Sequence, residues 1–257
     1  MKTSATLLLL ALAASLSFST RAQTPATSPA PQSILPVPPL PPVLPDNPTA
    51  AQRTEYERQS RDYERRRWNY VLTDSVARAR ILNEQPNGLL METLKGLKPG
   101  KALDVGMGEG RNTVYLAQQG WQATGVDVAD EAVAFARRKA ALRGVKIDAL
   151  VEDADTYDWG TNKWDLILIS YSGGRKYTER VLKALKPGGL LVLEGFHKDA
   201  AKEHKIGEGV VFDTDEMKNL FTKAGLQIVR YEEPMAQADF GKYQVKLVKL
   251  VARKPLR

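Results

Sequence analysis

The chain has 257 residues, of which 43% are hydrophobic, a formal net charge of +7 and no cysteine. The missing thiols exclude disulfides, thiol nucleophiles and cysteine-ligated zinc or iron–sulfur centres. Length and apolar content allow one large domain with an extension, and the modest positive charge permits acidic partners without demanding one.

Residues 1–22 read as a secretory signal peptide. Lys2 supplies the positive start, an apolar stretch runs from Leu7 to about Phe18, and Thr20-Arg21-Ala22 offers a small-residue cleavage site. That stretch is shorter than the ~20 residues of a membrane span. The expectation is therefore an exported protein, periplasmic or secreted, with an uncleaved anchor or a misassigned start as alternatives. Residues 23–49 are dominated by proline and should form an extended linker, since proline resists both helix and sheet. Residues 50–85 form an N-terminal helical extension. Tyr56, Tyr63 and Tyr70 recur every seven residues along one helix face, among charges of both signs. This helix either covers a pocket, with Trp68 and Tyr70 facing it, or docks by its tyrosines. Arg65, Arg66 and Arg67 either pair with neighbouring acids or make a weak contact with a membrane surface.

From residue 86 the pattern alternates between strands and helices. A turn at Pro86-Asn87-Gly88 precedes a helix over 89–97. Strands are predicted at 101–105, 122–126, 145–151, 164–170 and 190–194. Helices are predicted at 111–119, 131–143, 178–185 and 214–223, with Gly120, Gly144 and Gly225 placed to end three of them and Asp213 or Thr214 to cap the last. Lys186-Pro-Gly-Gly189 reads as a break. The final strands, 226–231 and 243–252, are joined by a loop too short for a parallel crossover, so they should pair antiparallel. The fold class is α/β: a Rossmann-like, doubly wound, mostly parallel seven-stranded sheet with a C-terminal antiparallel hairpin, preceded by an N-terminal helix.

The sequence Leu103-Asp-Val-Gly-Met-Gly-Glu-Gly-Arg-Asn-Thr113 is the organising stretch. A buried strand runs into Gly106, Met107, Gly108 and Gly110, then into a helix. Ligands of such sheets bind beyond the carboxyl ends of the strands, where glycine lets the backbone come close. Asp104 and Glu109 at this turn would repel a pyrophosphate and attract a cation. Asp127 follows Gly106 by about 20 residues, a spacing at which an acid accepts ribose hydroxyls. The implied ligand has a ribose and a positive end. No Gly-Lys-Ser/Thr of a P-loop follows, and the glycine spacing departs from the nicotinamide-binding pattern.

At these residues the chain resembles the class I S-adenosylmethionine-dependent methyltransferases, with a spelling similar to the tellurite-resistance and thiopurine methyltransferase-like branch. The resemblance extends over about residues 86–255, in the domain expected at 86–257. It implies S-adenosylmethionine as cofactor, with Gly106, Met107, Gly108, Gly110 and Asn112 near its methionine part, Asp104 toward the ammonium group, and Asp127 with Val128 at the ribose. It also implies Asp153 and Ala154 at the adenine, with Glu152 and Asp155 as rivals, and Ser170 beside the transferred methyl group. Tyr171 either orients a nucleophile or forms a pocket wall. Where nucleobase and glutamine methyltransferases carry Asn/Asp-Pro-Pro-aromatic, this chain has Ser170-Tyr-Ser-Gly173. No nucleic-acid partner is therefore expected, and the missing thiols argue against cytosine C5 and arsenic methylation. The acceptor is expected to be a small molecule. His197 and His204 lie in the expected acceptor loop. Either could remove a proton, His197 being the nominated one, or both could be innocent. Arg111 would meet the cofactor carboxylate, an anionic substrate or Glu109. No metal site is expected. The alternatives are an exported binding protein that keeps the fold without catalysis, and a membrane-associated enzyme acting on a lipid or quinone. Oligomeric state is left open.

Overall fold

The computed structural model describes residues 41–204 and 206–256. Residues 1–22, read as a signal peptide, and most of the expected proline-rich linker lie outside that range. Among the described residues no helix is long and apolar enough to cross a membrane.

The extension is two helices, α1 (Ala50–Thr73) and α2 (Ser75–Ile81), where one was expected. Thr49 starts α1 with a capping box completed by Gln52. Asp74, extended at ψ 108°, interrupts the helix, and its carboxylate accepts from Val76 N at 2.8 Å to start the second. The short α3 (Gly88–Thr93) is capped by the buried Asn87, whose side chain accepts from Leu90 N at 3.0 Å.

The core then alternates as expected: β1 (Lys101–Val105), α4 (Arg111–Gln118), β2 (Gln122–Asp127), α5 (Asp130–Leu142), β3 (Asp148–Val151), β4 (Trp164–Ser170), α6 (Thr178–Ala184) and β5 (Leu185–His197). It closes with α7 (Ala200–Glu203), β6 (Val211–Phe212), α8 (Glu216–Lys223), β7 (Gln227–Glu232), β8 (Met235–Gln237) and β9 (Gln244–Arg253). The sheet order is β3-β2-β1-β4-β5-β9-β7, seven strands as expected, with the short β6 beside β5 and β8 beside β9 bringing the sheet to nine. β3 to β5 run parallel, and β9 pairs antiparallel with both β5 and β7.

Both faces of the sheet are buried, which is why β1 and β4 read as almost continuous apolar runs. On one face Leu103, Val105, Ile167, Ile169, Leu191 and Leu193 pack with Val181 of α6 and Phe221 of α8. On the other, Ala102, Leu166, Leu168 and Val192 pack with Leu89 and Leu90 of α3 and Leu116 of α4. Two sequence expectations are corrected. Lys186-Pro-Gly-Gly189 does not break the chain but lies inside β5, opposite an irregularity in β4 between Trp164 and Leu166. The last helix starts at Glu216 after a left-handed Asp215 (φ 58°), not after an Asp213 or Thr214 cap.

Candidate functional site

The chain winds outward from β1 to β2 and β3 on one side, then returns to β4 and β5 on the other. The crevice at this reversal, beyond the carboxyl ends of β1 and β4, is where an open α/β sheet places its ligand.

The glycine turn leaves β1 there. Gly106, Gly108 and Gly110 all have left-handed φ, at 68°, 55° and 73°. Gly106 N and Met107 N both donate to Val126 O, at 2.9 and 3.0 Å, folding the turn over β2. A Cβ on Gly106 would lie 2.5 Å from Ser172 Cβ, and one on Gly110 would lie 2.6 Å from Ala136 Cβ. A Cβ on Gly108 would meet nothing within 4 Å, so this glycine turns an open backbone face outward. Met107 is buried with Val133, Ala136 and Ala149, so what it can offer a ligand is main chain.

Three carboxylates follow the exits of three adjacent strands. Asp104, on β1, is buried and accepts from Thr113 Oγ1 at 2.7 Å. Burial pushes its carboxyl up to about 6, and the nearby Asp127 charge adds to the rise. Asp127, ending β2, is oriented by two backbone donors, Gly108 N to Oδ2 and Ala129 N to Oδ1, both at 2.9 Å. Burial raises its pKa too, against the lowering effect of the Ala129, Gly108 and Val128 amides. Asp153, just past β3, accepts from Asp155 N at 2.9 Å through Oδ1. Its Oδ2 is buried without a hydrogen-bond partner, and Arg61 Nε stands 3.7 Å away, within ion-pair range but beyond hydrogen-bonding distance. The rival Asp155 is taken up by Lys176 and by Tyr177 Oη at 2.7 Å. Ala154 follows Asp153 and turns its carbonyl to Trp159 Nε1 at 3.0 Å.

Ser170 ends β4 with its Oγ buried and unpartnered. Next to it Tyr171 has φ 56°, a strained value for a side-chain-bearing residue. Its hydroxyl donates to Glu194 Oε1 at 2.6 Å and accepts from Asp239 N at 3.2 Å. Its ring packs against Phe196 and Phe240, with centroids at 4.9 and 6.4 Å. Burial and the Glu194 charge hold the phenol well above its usual pKa, so the Tyr171 hydroxyl stays protonated.

Glu194 was missed by the sequence reading. It is the register partner of Ser170 and is buried. Its Oε2 makes no hydrogen bond, although Lys249 Nζ approaches to 3.4 Å. In the sequence it looks like the last residue of a hydrophobic strand, and only a charge inside an apolar run could have flagged it.

Other expected residues are placed elsewhere. Asn112 is buried with Oδ1 accepting from Asn87 N at 2.8 Å, a contact that joins α4 to the start of α3. Arg111 meets neither Glu109 nor an open ligand site; it donates to Asp239 Oδ2 at 2.9 Å and Gln85 O at 2.6 Å. Glu109 pairs with Arg78 and Lys139 at 3.4 and 3.5 Å. His197 is not in a solvated loop. It ends β5, buried, three residues from Glu194 and so on the opposite face of the sheet. There it meets Thr214, Asp199, Glu233 and Lys246, which removes it from Ser170. His204 stacks on Tyr243 at 3.9 Å. Among the described residues no cluster of three metal ligands occurs.

Residues 102–189, from β1 into β5, match a family described as a methyltransferase domain. A ribosomal RNA small subunit methyltransferase C of Alcanivorax borkumensis is 29% identical over 123 residues, covering 43% of this chain and 37% of the relative. Hemagglutinin 1 of Eikenella corrodens is 26% identical over 221 residues, covering 80% of this chain and 67% of the relative. The chain spans 37% to 64% of the length of the first four methyltransferases it matches. Among solved structures, the [4+2]-cyclase SpnF superposes with a TM-score of 0.61 at 20% identity, over 77% of this chain and 97% of that one. Residues 102–189 thus resemble a methyltransferase domain, and the chain shares its fold with that solved structure.

Proposed function

We propose that the protein transfers a methyl group from S-adenosylmethionine to a small-molecule acceptor, in the manner of the tellurite-resistance and thiopurine methyltransferase-like branch that its glycine turn resembles. One observation carries the cofactor assignment. Three acids stand at the exits of β1, β2 and β3, and the outermost keeps a buried oxygen with no hydrogen bond. This donor-poor, acid-rich set fits a ligand with an ammonium group, a ribose and an adenine, and it disfavours a pyrophosphate.

When bound, the cofactor supplies a methyl group already activated by a sulfonium. Asp104 balances the ammonium charge, directly or through water. Asp127, held by the Gly108 and Ala129 amides, accepts from the ribose hydroxyls with its remaining lone pairs. Asp153 Oδ2 accepts from the adenine amino group. Gly108 leaves the main chain bare where the ligand passes. Tyr171, Phe196 and Phe240 form an aromatic wall at the β4 exit that excludes water and aligns the acceptor. Where the acceptor must lose a proton, Glu194 beside Ser170 receives it. Export is part of the proposal on the strength of residues 1–22 alone.

Titration calorimetry with S-adenosylmethionine tests the assignment. The protein should bind with micromolar affinity, and Asp127→Ala should lose at least tenfold. A folded parent that binds neither S-adenosylmethionine nor S-adenosylhomocysteine would overturn the reading.

A further inference from the structure

The helix α1 reaches the chain just past β2 and β3, at Asp130 and Asp153, and it is anchored unevenly. Near its C-terminal end Leu72 packs with Ala129 and Ala132, and Trp68 meets Phe240 edge-on at 5.5 Å. Asn69 reaches the N-terminus of α5, donating to Asp130 Oδ1 at 2.6 Å and accepting from Glu131 N at 3.1 Å. The helix's buried residues are Val71 and Leu72. Its earlier turns are mostly charged, with Tyr56, Ser60 and Tyr63 half-buried, and apart from Arg61 their ion pairs stay within the helix: Glu55 with Arg58, Asp62 with Arg58 and Arg65, and Glu64 with Arg67.

Arg61 departs from that pattern. It leaves the helix to face Asp153 Oδ2, the buried oxygen without a hydrogen bond. At 3.7 Å the guanidinium supplies charge but not the hydrogen bond. The Arg61 side chain is 47% exposed, so returning it to water costs little, whereas an unmade hydrogen bond at a buried acceptor is expensive. The contact is therefore strong enough to seat the helix and weak enough to be exchanged.

We propose that Arg61 is an autoinhibitory latch on the adenosine subsite. It claims the Asp153 oxygen that an adenine amino group needs, so an adenosyl ligand must displace it, and the N-terminal part of α1 lifts about the Leu72 anchor as it does. The latch rests on the cofactor reading above. A partly exposed ion pair of this kind changes an equilibrium by about two- to fivefold.

The test uses S-adenosylhomocysteine with the full chain and with Arg61→Met, which keeps the aliphatic stem and the helix propensity. Arg61→Met should bind about two- to fivefold more tightly, and the gap should narrow at high salt, where the competing ion pair is screened. In hydrogen exchange, ligand should lower the protection of residues 55–66 in the parent, and the variant should show that lower protection without ligand. Equal or weaker binding by Arg61→Met, or protection that rises with ligand, would overturn the latch while leaving the cofactor assignment standing. Failure of both proteins to bind would overturn the cofactor assignment and the latch together.

Discussion

Asp104 is a carboxylate whose burial works against its own charge. In the folded protein it holds its proton up to about pH 6, chiefly by desolvation, with the Thr113 hydroxyl and the Arg111 charge opposing the rise. An unfolded chain releases that proton near pH 4. The folded state therefore binds more protons between these values, and Asp104's contribution to stability falls as pH rises from about 4 to about 6. A cationic ligand prefers the ionised form, so its affinity runs the other way and rises across that window. Binding of S-adenosylmethionine is expected to be about tenfold weaker at pH 5 than at pH 7, because only about one Asp104 in ten is ionised at the lower value. Calorimetry at the two pH values should show this, and Asp104→Asn should bind weakly with a shallower profile, Asp127 being the carboxylate left to titrate. Tyr171 gives the complementary case. Its hydroxyl serves Glu194 and Asp239, so Tyr171→Phe should cost about 1–3 kcal/mol in urea unfolding and leave cofactor affinity unchanged. Asp104, Asp127 and Asp153 were legible because a ribose, an ammonium group and an adenine each call for an acceptor at a strand exit. Glu194 was not, because its partners Tyr171 and Lys249 are brought to it only by the sheet.

Among the elements, the glycine turn separates packing from ligand access. Gly108 and Gly110 share a left-handed backbone, which costs a residue with a side chain about 1–2 kcal/mol. They differ in what a methyl group would meet: open space at Gly108, and the α5 backbone through Ala136 at Gly110. Gly108→Ala should therefore unfold only about 1–2 kcal/mol more easily and lose cofactor affinity. Gly110→Ala should lose clearly more stability, because α4 and α5 must separate. Paired urea melts and calorimetry distinguish the two. Boundaries were legible where side-chain chemistry marks them locally. β1 and β4 are mostly apolar runs, β1 entered at Lys101 and β4 left at Ser170. Gly120, Gly144 and Gly225 end α4, α5 and α8 with the next amide donating back to Leu116, Ala140 and Phe221. They were illegible where tertiary pairing overrides a local signal. Pro187 and Gly188 look like a break, yet Gly188 N donates to Lys254 O at 2.9 Å and Lys254 N returns the bond to Gly189, so pairing with the chain beyond β9 holds the irregular stretch in the sheet.

Across the whole molecule, the cofactor turn and the acceptor wall are tied through one residue between β8 and β9. Asp239 accepts from Arg111 at 2.9 Å at the start of α4 and from Asn87 Nδ2 at 2.7 Å ahead of α3, and its own amide donates to Tyr171 Oη. Its neighbours extend the tie to the N-terminal extension. Phe240 bridges to Leu82, and Gly241 N donates to Ile81 O at 2.8 Å. None of this was visible in the sequence, where Asp239 and Arg111 stand 128 residues apart. The Arg111 and Asp239 side chains are 15% and 14% exposed, so removing the acid strands a mostly buried guanidinium. Asp239→Ala should cost about 2–4 kcal/mol, and Asp239→Asn less, since an amide oxygen still accepts from Arg111. A double-mutant cycle with Arg111→Met should return a coupling of about 1–3 kcal/mol, which two independent surface charges would not give. The Asp239 variants should also raise hydrogen exchange in residues 79–87, while Asp127 and Asp153, which make no contact with Asp239, keep their place and S-adenosylhomocysteine still binds. Loss of cofactor binding on that scale would instead mean that the tie holds the glycine turn itself in shape, through Arg111 at the first position of α4.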